Sequence, residues 1–586
     1  MKNRRLEETR LRVGFNEEGL FVDGKNVPLV GGEFHYWRTN PLYWGKILDG
    51  MKDAGLELVS TYICWDFHEV EKGVFDFDGR TNQCRDLSGF LDLCKEKSMP
   101  LMVRPGPFIY AEWPTNGPAR DVFMKERLDP EFLKRSREWI RAVCRVLVPR
   151  QATRGGPIVM LQVDNEIAFP LSTGDDMTQA GGEGGYDRQF VRKAYGDWME
   201  EKLGKRLEVD VPDFRRDGLA KNLRAIEFSK DKVKEFLKVC RQMYLEEGIE
   251  VPTYANIGQF LTFQDWTGEE KIVDSVGIDN YMPSMLKGDQ SLVVSWYYRL
   301  ARARTRFPWS PEFQAGIWVG MDKEFGIING EHIEYMGLLA LTLGLRGLSY
   351  YMFVDRDNWH YSPLNERGEK RPSFASYQKV IQIAKSLGKG THLADVGLVW
   401  HPSHNRAFVS RRYADLKDMV RYWMDFDGPK EEERWWRTFR TLHRLDVDFD
   451  ILDPTVSNLK KKVLILLSAE FLGLVQVLIY AGDDFLDPES MGKMARFVRE
   501  GGKLIVASNL PVKDSSLRHS DEMVRLKRQM EASGRVQIVE PEGLKGALKA
   551  TDFTHYIQTD HEGVWSFVYR DEGALVVFMV NTMDEE

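Results

Sequence analysis

Eight short runs of β-branched and aromatic residues recur through the first 390 residues, separated for the most part by helix-like stretches, and this alternation limits the fold more than any other feature. The runs are residues 26–36, 56–64, 100–106, 157–163, 251–256, 272–281, 308–313 and 346–354. Between them, residues 41–55, 86–98, 130–147 and 331–345 place apolar side chains at helical spacing. Eight strands with crossovers predict a closed parallel (β/α)8 TIM barrel, which takes about 250 residues before insertions. In such a barrel the carboxyl ends of all strands open on one face, so residues distant in sequence can meet there.

Beyond residue 390 the pattern changes. Strand-like runs at 394–400, 447–453, 461–469 and 502–509 alternate with helices at 430–445 and 488–502, the second ending on Gly501 and Gly502. This predicts a smaller, doubly wound α/β domain with a mostly parallel sheet. It holds no G-x-G-x-x-G and no P-loop, so no nucleotide is assigned to it. Residues 563–581 return to a strand pattern, read as the opening of a β segment. The predicted organisation is 1–390 catalytic barrel, 391–545 α/β domain and 546–586 start of a β domain.

Charge and cysteine usage narrow the function classes. A formal net charge of -8 over mixed signs leaves no basic footprint, which argues against nucleic acid and anionic membranes as partners. No stretch approaches ~18 uninterrupted apolar residues, and the charged N-terminus lacks an apolar core behind it. Five scattered cysteines with no C-x-x-C pair disfavour both a disulfide framework and a cysteine zinc site, and predict a reducing, cytoplasmic setting.

The polar residues with the clearest chemical implication close the fourth run, where "PIVMLQVDNEIAF" sets Asp164, Asn165 and Glu166 at the end of an apolar strand. Glu312, in "PWSPEF", closes the seventh. Two carboxyl groups facing each other at about 5–5.5 Å suit a retaining glycosidase, one protonating the leaving oxygen and the other attacking the anomeric carbon. The acid must hold its proton near neutral pH, through burial and a neighbouring negative charge, while the nucleophile must be ionised. Asn165 is a donor suited to the hydroxyl beside the reacting carbon.

The stretches "GGEFHYWR" (31–38), "TYICWDFHEVEKGVFDFDG" (61–79), "RPGPFIYAEW" (104–113), "GGPIVMLQVDNE" (155–166) and "SPEF" (310–313) resemble the family 35 glycoside hydrolases, the β-galactosidase family, in order and spacing. The resemblance implies a barrel that cleaves terminal β-linked sugars with retention and without a metal or other cofactor. It makes Glu166 the acid/base and Glu312 the nucleophile, and puts Tyr62, Ala111, Glu112 and Asn165 on positions that bind sugar hydroxyls. Three residues depart from the family pattern near the sugar pocket: Tyr110, Asp164 and Gln314. A barrel followed by a glutamine-amidotransferase-like domain is similar to the arrangement in archaeal exo-β-glucosaminidases and family 42 β-galactosidases, where that domain helps build oligomers. The resemblance thus implies a homo-oligomer, dimer or trimer, acting on small oligosaccharides.

The leading expectation is a retaining exo-glycosidase for terminal β-D-galactosyl residues. Exo-β-D-glucosaminidase or another β-glycosidase of the same mechanism is the alternative, with Asp164 a candidate partner for a 2-amino group. A non-catalytic carbohydrate-binding barrel is the rival class. His35, His68 and His360 are read as hydrogen-bonding scaffold rather than metal ligands. Of Trp37, Trp65, Trp113, Trp318 and Trp359, one or two are expected to form a sugar platform, with Trp318 the named candidate. Arg104 is read as a buried partner of Glu112 or Glu312, and Tyr281 as a donor to the nucleophile.

Overall fold

The computed structural model describes residues 11–168, 188–204, 218–258, 264–282, 290–319, 328–387, 390–412, 433–456, 476–551, 553–554, 556–557, 559, 563–571 and 574–582. All eight predicted barrel strands are present: β1 (Val30–Glu33), β2 (Leu58–Tyr62), β3 (Leu101–Arg104), β4 (Ile158–Gln162), β5 (Thr253–Ile257), β6 (Ser275–Ile278), β7 (Trp309–Gln314) and β8 (Gly347–Tyr351). They are parallel, in the order β6-β5-β4-β3-β2-β1-β8-β7. Closure comes just beyond β6, where the Asn280 amide donates to the Glu312 carbonyl (2.8 Å) and the Gln314 amide donates to the Asn280 carbonyl (2.9 Å).

The helix Pro130–Leu147 shows how local chemistry builds the outer layer. Asp129 caps it by accepting from the Glu131 amide at 2.8 Å, and Pro130 takes the first position, where no amide is needed. Phe132, Ser136, Trp139, Ile140, Val143 and Leu147 form its buried stripe at steps of three and four residues. The indole of Trp139 also donates to the Pro105 carbonyl (2.9 Å), tying the helix to the loop after β3.

Two elements were not read from the sequence. A three-stranded antiparallel meander (Val13–Asn16, Gly19–Val22, Lys25–Val27) packs on Leu58, Met102, Met160 and Trp309 and seals the amino-terminal end of the barrel. The helix Gln290–Arg304 is buried along almost its whole length, because the second domain covers the side that would otherwise face solvent.

Among the described residues that domain holds a five-stranded parallel sheet: β9 (Val396–Val399), β10 (Phe449–Leu452), β11 (Val477–Tyr480), β12 (Lys503–Val506) and β13 (Val536–Ile538), in the order β10-β9-β11-β12-β13. The strand expected at 461–469 lies outside the described residues. The helix expected at 430–445 is described as Arg434–Arg444, and the one at 488–502 as Pro488–Arg499. Gly501, at φ +109°, follows that helix in a backbone region that a side chain disfavours. At the carboxyl end, β14 (Val564–Asp571) and β15 (Ala574–Asn581) form a hairpin whose first strand pairs with Thr391–His392.

Candidate active site

Glu312, in β7, is the point on which the strand ends converge. Its Oε1 accepts from the Tyr62 hydroxyl at 2.5 Å and from the Arg104 guanidinium, and its Oε2 accepts from the Tyr281 hydroxyl. Three donors from β2, β3 and the loop after β6 thus fix both oxygens, and one donor is a cation. Arg104 is itself held: it donates to Gln162 (2.8 Å), Glu33 (3.2 Å) and Asn165 (3.0 Å), with its guanidinium 3.9 Å from the Tyr62 ring centre. Of the two partners the sequence suggested for Arg104, the structure gives it Glu312. Glu112 pairs instead with Arg356, which also donates to the Tyr351 hydroxyl at 3.2 Å.

Glu166 feels the charge of Glu312 from a different electrostatic setting. Burial, and then the negative charge of Glu312, push its carboxyl up to about 7. Its backbone is left-handed, at φ +40°, and its amide donates to Asn256 at 3.1 Å. Gly258, after β5, makes room for the side chain: a Cβ there would lie 2.6 Å from Glu166 Oε1. A side chain there would push the Glu166 carboxyl aside.

The phase of the chain changes where β4 ends. Gln162 points into the barrel, bonding Arg104 and Asn256, so an unbroken pleat would also turn Asp164 inward. The strand stops at Gln162 and residues 164–166 bend, which brings Asn165 inward instead. Asn165 Oδ1 accepts from Arg104, Gln162 (3.1 Å) and Asn256 (2.8 Å), and its Nδ2 donates to the Ile109 carbonyl at 3.2 Å. Asp164 turns outward and is fully buried, accepting from the Phe108 amide (2.7 Å) and Arg127 (2.9 Å). The reading of Asp164 as a partner for a sugar amine is corrected here: its carboxylate is occupied by Arg127 behind the pocket wall.

Tyr110, Ala111 and Glu112 adopt three successive left-handed conformations, at φ +50°, +49° and +48°, a costly turn for residues with side chains. It is held by Arg127 donating to the Tyr110 hydroxyl (3.0 Å) and Arg38 donating to the Ala111 carbonyl (2.7 Å). Trp318 is partly exposed beside Trp359 on a short ribbon after β7, and the Trp359 indole donates to the Ala315 carbonyl at 2.7 Å. Trp65 is fully buried against Trp139, and Trp37 packs edge-on against Trp113.

The three histidines do not share a pocket. His68 is sealed between the Tyr36 hydroxyl and the Asp76 carbonyl, both at 2.7 Å, and burial lowers its pKa to about 4. His35 stacks on Trp37, and His360 is exposed on the ribbon. Among the described residues no three His, Cys, Asp or Glu side chains are grouped so as to hold a metal ion.

Asp279, one residue past β6, is a component that sequence reasoning missed. It is fully buried, accepts from Asn256 Nδ2 at 2.6 Å and lies beside Glu166. Burial, with the charges of Glu312 and Glu166, raises its carboxyl well above the usual range. The raised carboxyl favours the protonated form, in which Asp279 can donate to Glu166. Its signal in the sequence was its place in "GIDNY", two residues before the Tyr281 that was singled out.

Comparison with known proteins bears on this arrangement. Residues 19–299 match the profile of glycosyl hydrolases family 35, and residues 420–553 that of the GLMA-like second domain. An exo-β-D-glucosaminidase from Thermococcus kodakarensis is 25% identical, spanning 86% of this chain and 69% of its own. A β-galactosidase from Bos taurus is 29% identical over 36% of this chain and 30% of its own. A GH42 β-galactosidase from G. stearothermophilus shares the fold, with a TM-score of 0.71 at 12% identity over 96% of this chain and 93% of that one. The barrel is thus a family 35 glycosyl hydrolase domain joined to a GLMA-like second domain, and the chain is a glycoside hydrolase.

Proposed function

We propose that the protein is a retaining exo-β-glycosidase in which Glu312 attacks the anomeric carbon while Glu166 protonates the departing oxygen. In the second half-reaction Glu166 takes a proton from water, which displaces Glu312 from the sugar. The observation that carries this reading is the asymmetry of the two carboxyl groups. Three donors converge on Glu312, whereas Glu166 sits in a partly dry wall with its proton retained to about pH 7.

For the terminal sugar we favour β-D-glucosaminyl over β-D-galactosyl. The exo-β-D-glucosaminidase relative runs through both domains, whereas the β-galactosidase relative covers about a third of the chain. Galactoside stays the second reading because the barrel shares the family's Tyr62, Ala111 and Glu112 positions. The five free cysteines suit a reducing compartment, so we place the protein in the cytoplasm.

A panel of nitrophenyl β-glycosides tests the reading. The glucosaminide should turn over fastest, and Glu312→Gln should reduce the rate to less than about a hundredth while leaving the circular dichroism unchanged. Faster turnover of the galactoside would reverse the choice of sugar. A fully active Glu312→Gln would remove the mechanism.

A further inference from the structure

The α/β domain contains a cavity that the hydrolytic reaction does not use. It measures about 380 Å³, within the ~300–1,000 Å³ of small-molecule sites. Trp400, Ala481 and Ser508 line it just past the carboxyl ends of β9, β11 and β12. The strand order β10-β9-β11-β12-β13 reverses direction between β9 and β11, and in open parallel sheets ligands bind at this switch point.

The walls favour one kind of ligand. Trp400, Trp435 and Trp436 supply indole surface, and Trp435 is fixed by its Nε1 donating to the Val399 carbonyl at 2.9 Å and by stacking on Phe439. Across from them, Asp483, Asn509 and Ser508 offer planar and hydroxyl hydrogen-bonding groups. His404 donates from Nε2 to the Phe485 carbonyl (2.6 Å), and burial holds its pKa down to about 4, so the neutral ring keeps Nδ1 as an acceptor. That ring lies on bare backbone: a Cβ on Gly482 would stand 2.4 Å from Nδ1.

The charges here cancel. Arg411 is paired with Asp483 (3.1 Å) and lies 3.7 Å from Glu433, Arg434 lies 3.7 Å from Glu540, and Lys513 pairs with Asp484 at 2.7 Å. The helix Pro402–Arg412 points its amino end this way, yet its Ser403 amide is already satisfied by His401 Nδ1 at 3.2 Å. A phosphate would find each cation engaged and several carboxylates nearby. An uncharged polyol with an apolar C–H face, set on indoles and ringed by acceptors and an amide, matches what the cavity presents.

We propose that this cavity is a second saccharide-binding site, sized for one or two unphosphorylated sugar rings and separate from the catalytic pocket.

The test uses the full chain carrying Glu312→Gln, so that sugar is bound and not consumed. Isothermal titration with lactose and with the β-1,4 disaccharide of glucosamine should give two sites per chain for at least one of them. Adding Asp483→Ala and Asn509→Ala should weaken one site at least tenfold and leave the other unchanged. Trp435→Phe, which keeps a ring in the wall, should instead keep the site and reduce the sugar-dependent change in tryptophan fluorescence. One site per chain with both sugars would overturn the proposal. So would a second site unaffected by the cavity substitutions, or displacement of sugar from it by inorganic phosphate or a nucleoside diphosphate.

Discussion

At the scale of single residues, the proposed catalysis rests on three carboxyl groups. Glu312 is fixed by Arg104, Tyr62 and Tyr281, Glu166 is the proposed proton donor, and Asp279, its carboxyl raised by burial and by both neighbours, lies beside Glu166. Because Glu166 must be protonated to act as the acid, kcat/KM should fall as pH rises through about 7. The raised carboxyl of Asp279 makes a specific expectation for that limb. Asp279→Asn retains a neutral donor and should leave it within about half a unit, whereas Asp279→Leu loses the donor and should move it upward. A limb that drops by more than about a unit in Asp279→Asn would mean that Asp279 is charged. Glu166 and Glu312 were legible in the sequence because each ends an apolar strand, where a carboxylate is conspicuous. Asp279 was not, since its role depends on Asn256 bridging two strands, a relation that no local pattern records.

At the scale of elements, the way each strand ends decides which side chains enter the pocket. Stopping β4 at Gln162 turns Asn165 in and Asp164 out, and the left-handed turn at Tyr110–Glu112 rests on Arg127, which Asp164 neutralises. Asp164→Asn should therefore act on stability and not on choice of sugar. It leaves the buried Arg127 charge without its counter-ion, at a cost of about 3 kcal/mol. Thermal unfolding checks the loss, and an unchanged ratio of glucosaminide to galactoside rates checks the rest. A selective loss of the glucosaminide would return Asp164 to the pocket. The eight strands were readable because each apolar run is bounded by turn residues. The bend after Gln162 was not, because a period of two says nothing about where the pleat stops. The strand Val477–Tyr480 escaped notice inside "FLGLVQVLIYA", where only Gln476 separates it from the apolar residues before it.

At the scale of the whole molecule, the helix Gln290–Arg304 joins the two domains. Arg299, Arg302 and Arg304 on that barrel helix meet Asp448, Asp450 and Asp453 around β10. The last pair is buried on both sides, with Arg304 2% and Asp453 0% exposed at 3.2 Å. Asp453→Ala strands a buried arginine and should cost about 3–5 kcal/mol, seen as earlier unfolding, while replacing both partners with leucine should recover much of it. Equal losses in the two variants would mean that the pair contributes no net coupling. The second domain was foreseen as a parallel α/β unit, but its docking was not, since arginines on a helix read as solvated until a neighbour covers them. In the proposed mechanism Glu166 and Glu312 act at one anomeric centre in two successive displacements. Proton NMR of the first sugar released from the preferred nitrophenyl β-glycoside tests this most directly. The account requires the β-anomer to appear first and mutarotate afterwards; initial release of the α-anomer would contradict it.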